Sequence, residues 1–153
     1  MSGLAQMALS LGRSVSGSDR ALDAPENARI IGSLRGQGVR LYPQDGSRYA
    51  DGSPGAIVYS TAIEEDNPDF AKAPSDLPRI HRSEALSLCV KALPSSEVFA
   101  VTGTCGKTSV SAWLAEALEN VGASPTVLSG GLVNRFAEGG LAGNFRKIGR
   151  AHV

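Results

Sequence analysis

The stretch AVTGTCGKTS, residues 100–109, decides the fold because it joins a strand-like run to a helical pattern through two glycines. The apolar residues 98–101 predict a buried strand, and a helical pattern begins near Lys107. Backbone N–H groups of such a loop and of the next helix N-terminus form a concave set of donors that fits phosphate oxygens. Gly103 and Gly106 would supply the positive φ angles of the turn. We therefore expect an ATP-binding loop here.

Individual residues of this loop have separate predicted roles. Lys107 is expected to place its ammonium between the β- and γ-phosphates, and the Thr108 hydroxyl is expected to be a ligand of Mg²⁺. These two are the candidate catalytic residues, and Thr108 is the candidate metal ligand. The residues expected to bind the nucleotide are Gly103, Thr104, Cys105, Gly106, Lys107, Thr108 and Ser109.

The general pattern G-x-x-x-x-G-K-[ST] is met only in part. Val101 stands where the first glycine of that pattern would be, and the nearest glycine is Gly103. The alternative is therefore a strand, turn and helix that carry Gly-Lys-Thr by coincidence. The order of strand, turn and helix favours the nucleotide loop.

Composition and charge exclude several other classes of function. The chain has 15 basic and 15 acidic residues among 153, which gives no electrostatic case for a nucleic acid or an anionic membrane as partner. Two cysteines do not indicate a disulfide scaffold, and Cys105 inside a nucleotide loop suggests a reducing compartment. No apolar run approaches membrane-spanning length, and no signal-like segment begins the chain. We expect a soluble, cytoplasmic protein.

Helical and strand patterns alternate along the chain. Helices are predicted over 4–11, from 23 to the glycines at 36 and 38, in the segment that Pro94 ends, and from 107 onward. Strands are predicted at 14–18, 39–42, 56–60 and 125–128, with a loop at 43–55. The apolar stripes of the last two helices are Leu86, Cys89, Val90 and Leu93, and Val110, Trp113, Leu114, Ala117, Leu118 and Val121. This alternation predicts an α/β protein with a parallel sheet on each side of Pro94.

Five segments resemble, in the same order, those of the Mur ligases, the ATP-dependent ligases that build the peptide of bacterial cell-wall precursors. VTGTCGKT at 101–108 is similar to their ATP loop, and MSGLA at 1–5 to the end of their first glycine-rich loop. VSGSD at 15–19 resembles their second strand with its acidic end. IVYSTAI at 57–63 and the run at 78–86 also have counterparts. The resemblance covers roughly residues 1–145 and is strongest to members that act on UDP-N-acetylmuramate.

The resemblance implies a division of the chain. Residues 1–94 would be a Rossmann-like domain that binds UDP-N-acetylmuramate and lacks its first strand, so that Met1 looks like an internal methionine. Residues 95–147 would begin the central P-loop domain that binds ATP. Residues 148–153 are expected to be a non-native tail, because IGRAHV is also the translation of a widely used sequencing-adapter oligonucleotide.

The resemblance also implies an activity with ATP and Mg²⁺ as cofactors. The expected reaction is ligation of L-alanine to UDP-N-acetylmuramate through an acyl phosphate, for peptidoglycan synthesis. We expect the chain alone to be inactive, because phosphoryl transfer needs groups from several directions. Alternatives are a ligase that attaches a tripeptide to the same UDP-sugar, another Mur ligase, or a non-catalytic nucleotide-binding remnant. A P-loop kinase or GTPase would need a second metal-binding carboxylate or a guanine-reading motif, and the sequence shows neither.

The residues that the resemblance assigns to the UDP-sugar are Ser18, Asp19, Ser60, Thr61 and Arg82. Asp19 ends a strand where a carboxylate can accept hydrogen bonds from a ribose diol, although a local polar turn explains it equally well. Ser60 and Thr61 follow a strand at the edge where parallel sheets bind ligands, or form a polar turn. Arg82, with His81, would hold a carboxylate or diphosphate, or form a solvated pair at a helix start.

Overall fold

A computed structural model describes residues 1–64, 66–94 and 97–147 of the chain, so the tail expected at 148–153 lies outside the described residues. The helices are α1 (Ser2–Ser10), α2 (Ala28–Gly36), α3 (Pro68–Ala71), α4 (Arg82–Lys91) and α5 (Lys107–Asn120). The strands are β1 (Ser16–Asp19), β2 (Arg40–Pro43), β3 (Ile57–Tyr59), β4 (Arg79–His81), β5 (Thr126–Leu128) and β6 (Phe145–Lys147). Short 3-10 helices cover Pro25–Asn27, Ser47–Asp51 and Asn134–Gly140. The α/β class expected from the sequence is confirmed.

Parallel pairing, as predicted, occurs in the first part of the chain. β1 pairs with β2, in a register that sets Ser16 opposite Arg40. β3 pairs with β4, with Tyr59 opposite His81. Within the described residues, the two pairs form separate two-stranded sheets. The carboxyl ends of β1 and β3 nevertheless carry the polar residues expected there.

The helices of this part pack through apolar positions that the sequence indicated. α2 follows the turn at Pro25, and its residues Ile31 and Leu34 are buried, as is Met7 of α1. Pro25 starts the turn because its fixed φ suits a helix N-terminus. α2 therefore packs on β2 and on α1, whereas α1 lies against α4 and the β5–β6 pair.

The strand predicted at 98–101 is absent, which corrects the sequence analysis. Val98 is 66% exposed and Phe99 is 61% exposed, and the segment has no strand conformation. A strand is held by hydrogen bonds to a neighbour, and none of the described strands lies beside this segment. An apolar run alone is therefore insufficient to form the strand.

The prediction of a second parallel sheet is also wrong, since β5 and β6 pair antiparallel, with Leu128 opposite Phe145. Residues 129–144 turn back through a 3-10 helix instead of crossing over the sheet. The N–H of Val133 donates to Gly143 O at 2.7 Å and closes the neck of this connection. A parallel return would have required a crossover, usually through a longer α-helix.

α5 begins at Lys107 as expected, but the side that it packs differs from the predicted stripe. Leu114 and Leu118 are half-buried, whereas the other four members of the stripe are exposed, namely Val110, Trp113, Ala117 and Val121. The packed side is centred on Ala115, which is 2% exposed. Glu119 on this side pairs with Arg146 of β6 at 3.2 Å. The orientation of α5 is therefore set by the segments that pack against it more than by its most apolar stripe.

Candidate functional site

The loop at 102–109 has the backbone geometry that the sequence predicted. Gly103 has φ 147° and Gly106 has φ 74°, so both glycines adopt positive φ values. Gly106 is the N-terminal cap of α5, and the N–H of Val110 donates to its carbonyl at 2.9 Å. The N–H groups of the first helical turn have no acceptor within their own helix. This loop therefore offers backbone donors at the positive end of a 14-residue helix.

Lys107 lies over this loop. Its Nζ donates to Gly103 O at 2.6 Å and to Thr104 O at 3.2 Å. An ammonium group has three donors, so one remains for an anion. The side chain thus holds the loop closed and at the same time places a positive charge at its exposed surface.

Thr108 is half-buried and packs against Gly131, a residue that the sequence analysis missed. A Cβ atom at Gly131 would lie 2.8 Å from Thr108 Oγ1 and 3.3 Å from Thr108 Cγ2. Only glycine permits this approach without displacing the threonine. The signal in the sequence was the pair Gly130 and Gly131 directly after a predicted strand.

The other residues predicted to bind nucleotide surround these two. Thr104, Cys105 and Ser109 are exposed, as the loop itself is. Cys105 is a free thiol within the loop. The seven predicted nucleotide residues therefore form the loop before α5 and its first turn, and all but the half-buried Thr108 are exposed.

At the carboxyl end of β1, Ser18 is occupied by a protein partner. Its hydroxyl donates to Asp69 of α3, and the other carboxylate oxygen of Asp69 accepts from the N–H of Gly46 at 2.8 Å. The hydroxyl of Tyr49 donates to the Asp69 carbonyl at 2.8 Å. Asp69 therefore ties β1, the loop after β2 and α3 together. Sequence reasoning missed it, although the helix-start signal of Asn67, whose side chain caps α3, was present.

Asp19 forms the local turn that was the alternative to ligand binding. Its Oδ1 accepts from the N–H of Ala21 at 2.8 Å, and the residue is exposed. Ser60 is half-buried and its carbonyl accepts from the N–H of Ile63 at 3.0 Å, while Thr61 is exposed. Ser60 and Thr61 thus form a turn directly after β3, at the strand's carboxyl end.

His81 caps α4 instead of facing solvent with Arg82. Its Nδ1 accepts from the N–H of Ser83 at 3.4 Å and lies 2.7 Å from the Ser83 hydroxyl. The imidazole meets the Tyr59 ring edge-on, with centroids 5.6 Å apart. Within the described residues its buried Nε2 has no hydrogen-bond partner. Arg82 is exposed at the first position of α4.

Burial and neighbouring charges shift two titrating groups near these elements. Burial raises the pKa of the Cys89 thiol on α4, an effect that the nearby Arg13 charge opposes. Burial, followed by the charge of Asp69, raises the pKa of Tyr49. Cys89 is half-buried, in keeping with the packing role expected for it.

The predicted residues fall into three places. Ser18 and Asp19 end the β1–β2 pair, whereas Ser60, Thr61 and Arg82 end the β3–β4 pair. The nucleotide candidates form the loop before α5. Among the described residues, no helix is long and apolar enough to cross a membrane.

Comparisons with known proteins find relatives over most of the chain. The chain is 36% identical to UDP-N-acetylmuramate–L-alanine ligase of Aquifex aeolicus, over all of the chain and 31% of the relative. It is 37% identical to the protein of the same name from Methylocella silvestris, over 89% of the chain and 27% of the relative. The crystal structure of UDP-N-acetylmuramate–alanine ligase from Thermotoga maritima aligns with a TM-score of 0.79 and 30% identity, over 96% of this chain and 32% of that one.

The chain spans about a third of the length of these relatives. The family described as the Mur ligase family, catalytic domain, matches residues 1–92. With that match covering more than half of the sequence, the chain belongs to the Mur ligase family.

Proposed function

We propose that this chain supplies the UDP-sugar-binding region and the phosphate-binding loop of an ATP-dependent ligase that joins L-alanine to UDP-N-acetylmuramate. The observation that carries the proposal is the 102–109 loop, with its two positive-φ glycines and the Lys107 ammonium above them. The names of the relatives point to the same reaction. The proposed ligation is a cytoplasmic step of peptidoglycan precursor synthesis.

In this proposal the loop binds the phosphates of ATP. The N–H groups at the start of α5 contact phosphate oxygens, and the free donor of Lys107 lies between the β- and γ-phosphates. The Thr108 hydroxyl suits Mg²⁺, which keeps oxygen ligands and takes most of them from phosphates and water. Mg²⁺ would supply charge neutralisation on the transferring phosphoryl group. The backbone of Gly131 packs against the Thr108 side chain and limits its movement.

The reaction proceeds through an acyl phosphate. The carboxylate of UDP-N-acetylmuramate accepts the γ-phosphoryl group of ATP, and ADP leaves. The amine of L-alanine then attacks the carbonyl carbon of the acyl phosphate, and phosphate leaves as the nitrogen loses a proton. Charge on the transferring group is stabilised by Lys107 and by the backbone donors of the loop. Positioning and charge stabilisation from several directions are needed, so the chain alone is expected to bind but not to ligate.

The UDP-sugar would lie along the carboxyl ends of β1 and β3. The exposed Arg82 guanidinium offers paired donors to a diphosphate or carboxylate. The Ser18 hydroxyl, which donates to Asp69, remains an acceptor for a ligand donor. Asp19, Ser60 and Thr61 complete the polar edge that would meet the nucleoside and sugar.

The proposal includes a division of the chain near Pro94. Residues 1–94 would form the UDP-sugar domain, and residues 95–147 would begin the ATP-binding P-loop domain. The family match over residues 1–92 supports a boundary at this point. The absence of an assigned strand at 98–101 is the feature of the second part that fits a P-loop domain least well.

Backbone amide spectra of the chain, recorded during separate titrations with Mg-ATP and UDP-N-acetylmuramate, test this proposal. Mg-ATP should shift the amides of 103–109, and the UDP-sugar should shift those near Asp19, Ser60 and Arg82. Inorganic phosphate at the same concentration is the control for non-specific anion binding. ATP-induced shifts confined to other surfaces, or none at all, would contradict the assignment.

A further inference from the structure

α1 is fixed to the β5–β6 pair by a buried polar contact between residues far apart in sequence. The Nε2 of Gln6, a residue only 1% exposed, donates to Asn144 Oδ1 at 2.8 Å. The Nδ2 of Asn144 donates in turn to the Ser2 hydroxyl at 2.7 Å. Buried amides are costly unless they are hydrogen-bonded, so this contact has a defined geometry.

The same face of α1 approaches the strands very closely. A Cβ atom at Gly3 would lie 2.7 Å from Leu128 Cδ1 and 3.1 Å from Asn144 O. The helix backbone therefore lies directly on the carboxyl end of β5 and on the residue before β6. Movement of α1 relative to this pair would break the contacts of both Gly3 and Gln6.

From Asn144 a continuous set of contacts leads to the 102–109 loop. The Asn144 carbonyl accepts from the N–H of Ser129 at 2.9 Å. The Ser129 hydroxyl accepts from the N–H of Gly131 at 3.3 Å. Gly131 packs directly against the hydroxyl of Thr108, as the 2.8 Å distance to its hypothetical Cβ shows. Each link is a direct contact, and the last one ends at the candidate Mg²⁺ ligand.

We infer that Asn144, held by Gln6, is a positioning residue for Thr108, acting through Ser129 and Gly131. The inference rests on the proposed function, because it gives a use to a fixed Thr108 hydroxyl. When the hydrogen bond from Gln6 is lost, Asn144 is no longer fixed in position. The Ser129–Gly131 turn then loses its fixed hydrogen-bond partner, and the Thr108 hydroxyl loses the fixed backbone against which it packs. Since α1 begins in the segment that resembles the first glycine-rich loop, the same contacts join the UDP-sugar region to the ATP loop.

Gln6→Met tests the inference, because it retains the volume of the side chain and removes its hydrogen bonds. The matched control is Lys147→Met, which removes a 3.3 Å hydrogen bond from Lys147 Nζ to Ser10 O between α1 and β6 but off this path. Without nucleotide, Gln6→Met should shift the backbone amides of Ser129, Gly131 and Thr108, and Lys147→Met should leave them in place. Unmoved amides in Gln6→Met overturn the inference.

The second measurement is the ratio of ATP affinities with and without Mg²⁺. Gln6→Met should lower this ratio about threefold or more, as expected for coupling through packed contacts, and Lys147→Met should not change it. A purely structural contact would change the folded fraction and leave the ratio constant, which would overturn the inference. If Gln6→Met does not fold, Ser129→Ala removes a later link and is judged by the same two measurements.

The two measurements separate this inference from the proposed function. If the unmodified chain binds no ATP, the proposed phosphate-loop function fails. The amide shifts still decide whether Gln6 controls the surroundings of Thr108. If ATP binds with a Mg²⁺-dependent affinity and only the control variant changes the ratio, the inference fails alone.

Discussion

The two candidate binding regions differ in what their polar groups are already bonded to. At the carboxyl end of β1, Ser18 is bonded to Asp69 and Asp19 to the N–H of Ala21. At the start of α5 the donors are backbone N–H groups that their own helix cannot satisfy. Polar side chains near turns readily bond to local backbone and to one another. A helix start capped by a positive-φ glycine is therefore stronger evidence for a ligand than polar residues at a strand end.

The largest expected effect comes from Lys107→Ala. This change removes the ammonium that lies over the loop, and ATP affinity should fall about tenfold or more, since a hydrogen bond to a charged group is lost. Titration of the chain with Mg-ATP measures it. Lys91→Ala, at an exposed position on α4, is the matched control and should retain full affinity. Equal ATP affinities of Lys107→Ala and Lys91→Ala would contradict the view that the start of α5 is the stronger candidate binding region.

Asp69→Asn examines the other side of the comparison. The loss of charge-assisted hydrogen bonds to Ser18 and Gly46 should lower the free energy of unfolding by about 1–2 kcal/mol. Urea unfolding measures the change, with Asp76→Asn at an exposed position as the control. ATP affinity should remain constant, because the contacts of Asp69 lie in the first region. A loss of ATP affinity without a loss of stability would show that Asp69 is more than a structural tie.

Cys105 reports on occupancy of the 102–109 loop. Its thiol is exposed, so alkylation should block ATP binding, and saturating Mg-ATP should slow labelling several-fold by covering the loop. Mass spectrometry after timed labelling follows Cys105, and the half-buried Cys89 serves as internal control. Equal labelling rates of Cys105 with and without Mg-ATP would place the nucleotide elsewhere.

The smallest effect is expected at Asp45, in the loop after β2. The Ser47 hydroxyl, followed by the Ser47 N–H, holds the pKa of Asp45 below its ordinary value of 3.8. A lowered folded-state pKa means that the carboxylate stabilises the fold above the unfolded-state pKa and loses this contribution as pH falls through the folded-state pKa. Unfolding free energies of the unmodified chain and Asp45→Asn should therefore differ slightly near neutral pH and converge below about pH 4.

Asp23→Asn, at another exposed carboxylate, is the control for the general effect of charge. The unfolding free energies of Asp23→Asn and of the unmodified chain should not converge in the same way at acid pH. A difference for Asp45→Asn that persists unchanged to low pH would show that the Ser47 contacts do not act on the carboxylate.

Sequence reasoning predicted the geometry of the 102–109 loop more fully than the contacts at the edge of the sheets. Lys107, Thr108 and the glycines could be proposed as candidates because the proposed roles rest on a short local pattern. Asp69 was missed, since its bonds to Ser18 and Gly46 join residues 51 and 23 positions apart. Gly131 was missed for the same reason, because its contact with Thr108 depends on the path of the chain after β5.

By itself, the sequence determined where helices begin and end, as at Pro25, Gly36 and Gly106, because φ/ψ limits and capping act within a few residues. The tertiary structure alone decided that β6 returns antiparallel to β5 and that α5 turns Trp113 outward. It also brought Gln6 to Asn144, 138 positions away. Such contacts depend on which distant segments meet, and periodicity within one segment carries no information about its partner.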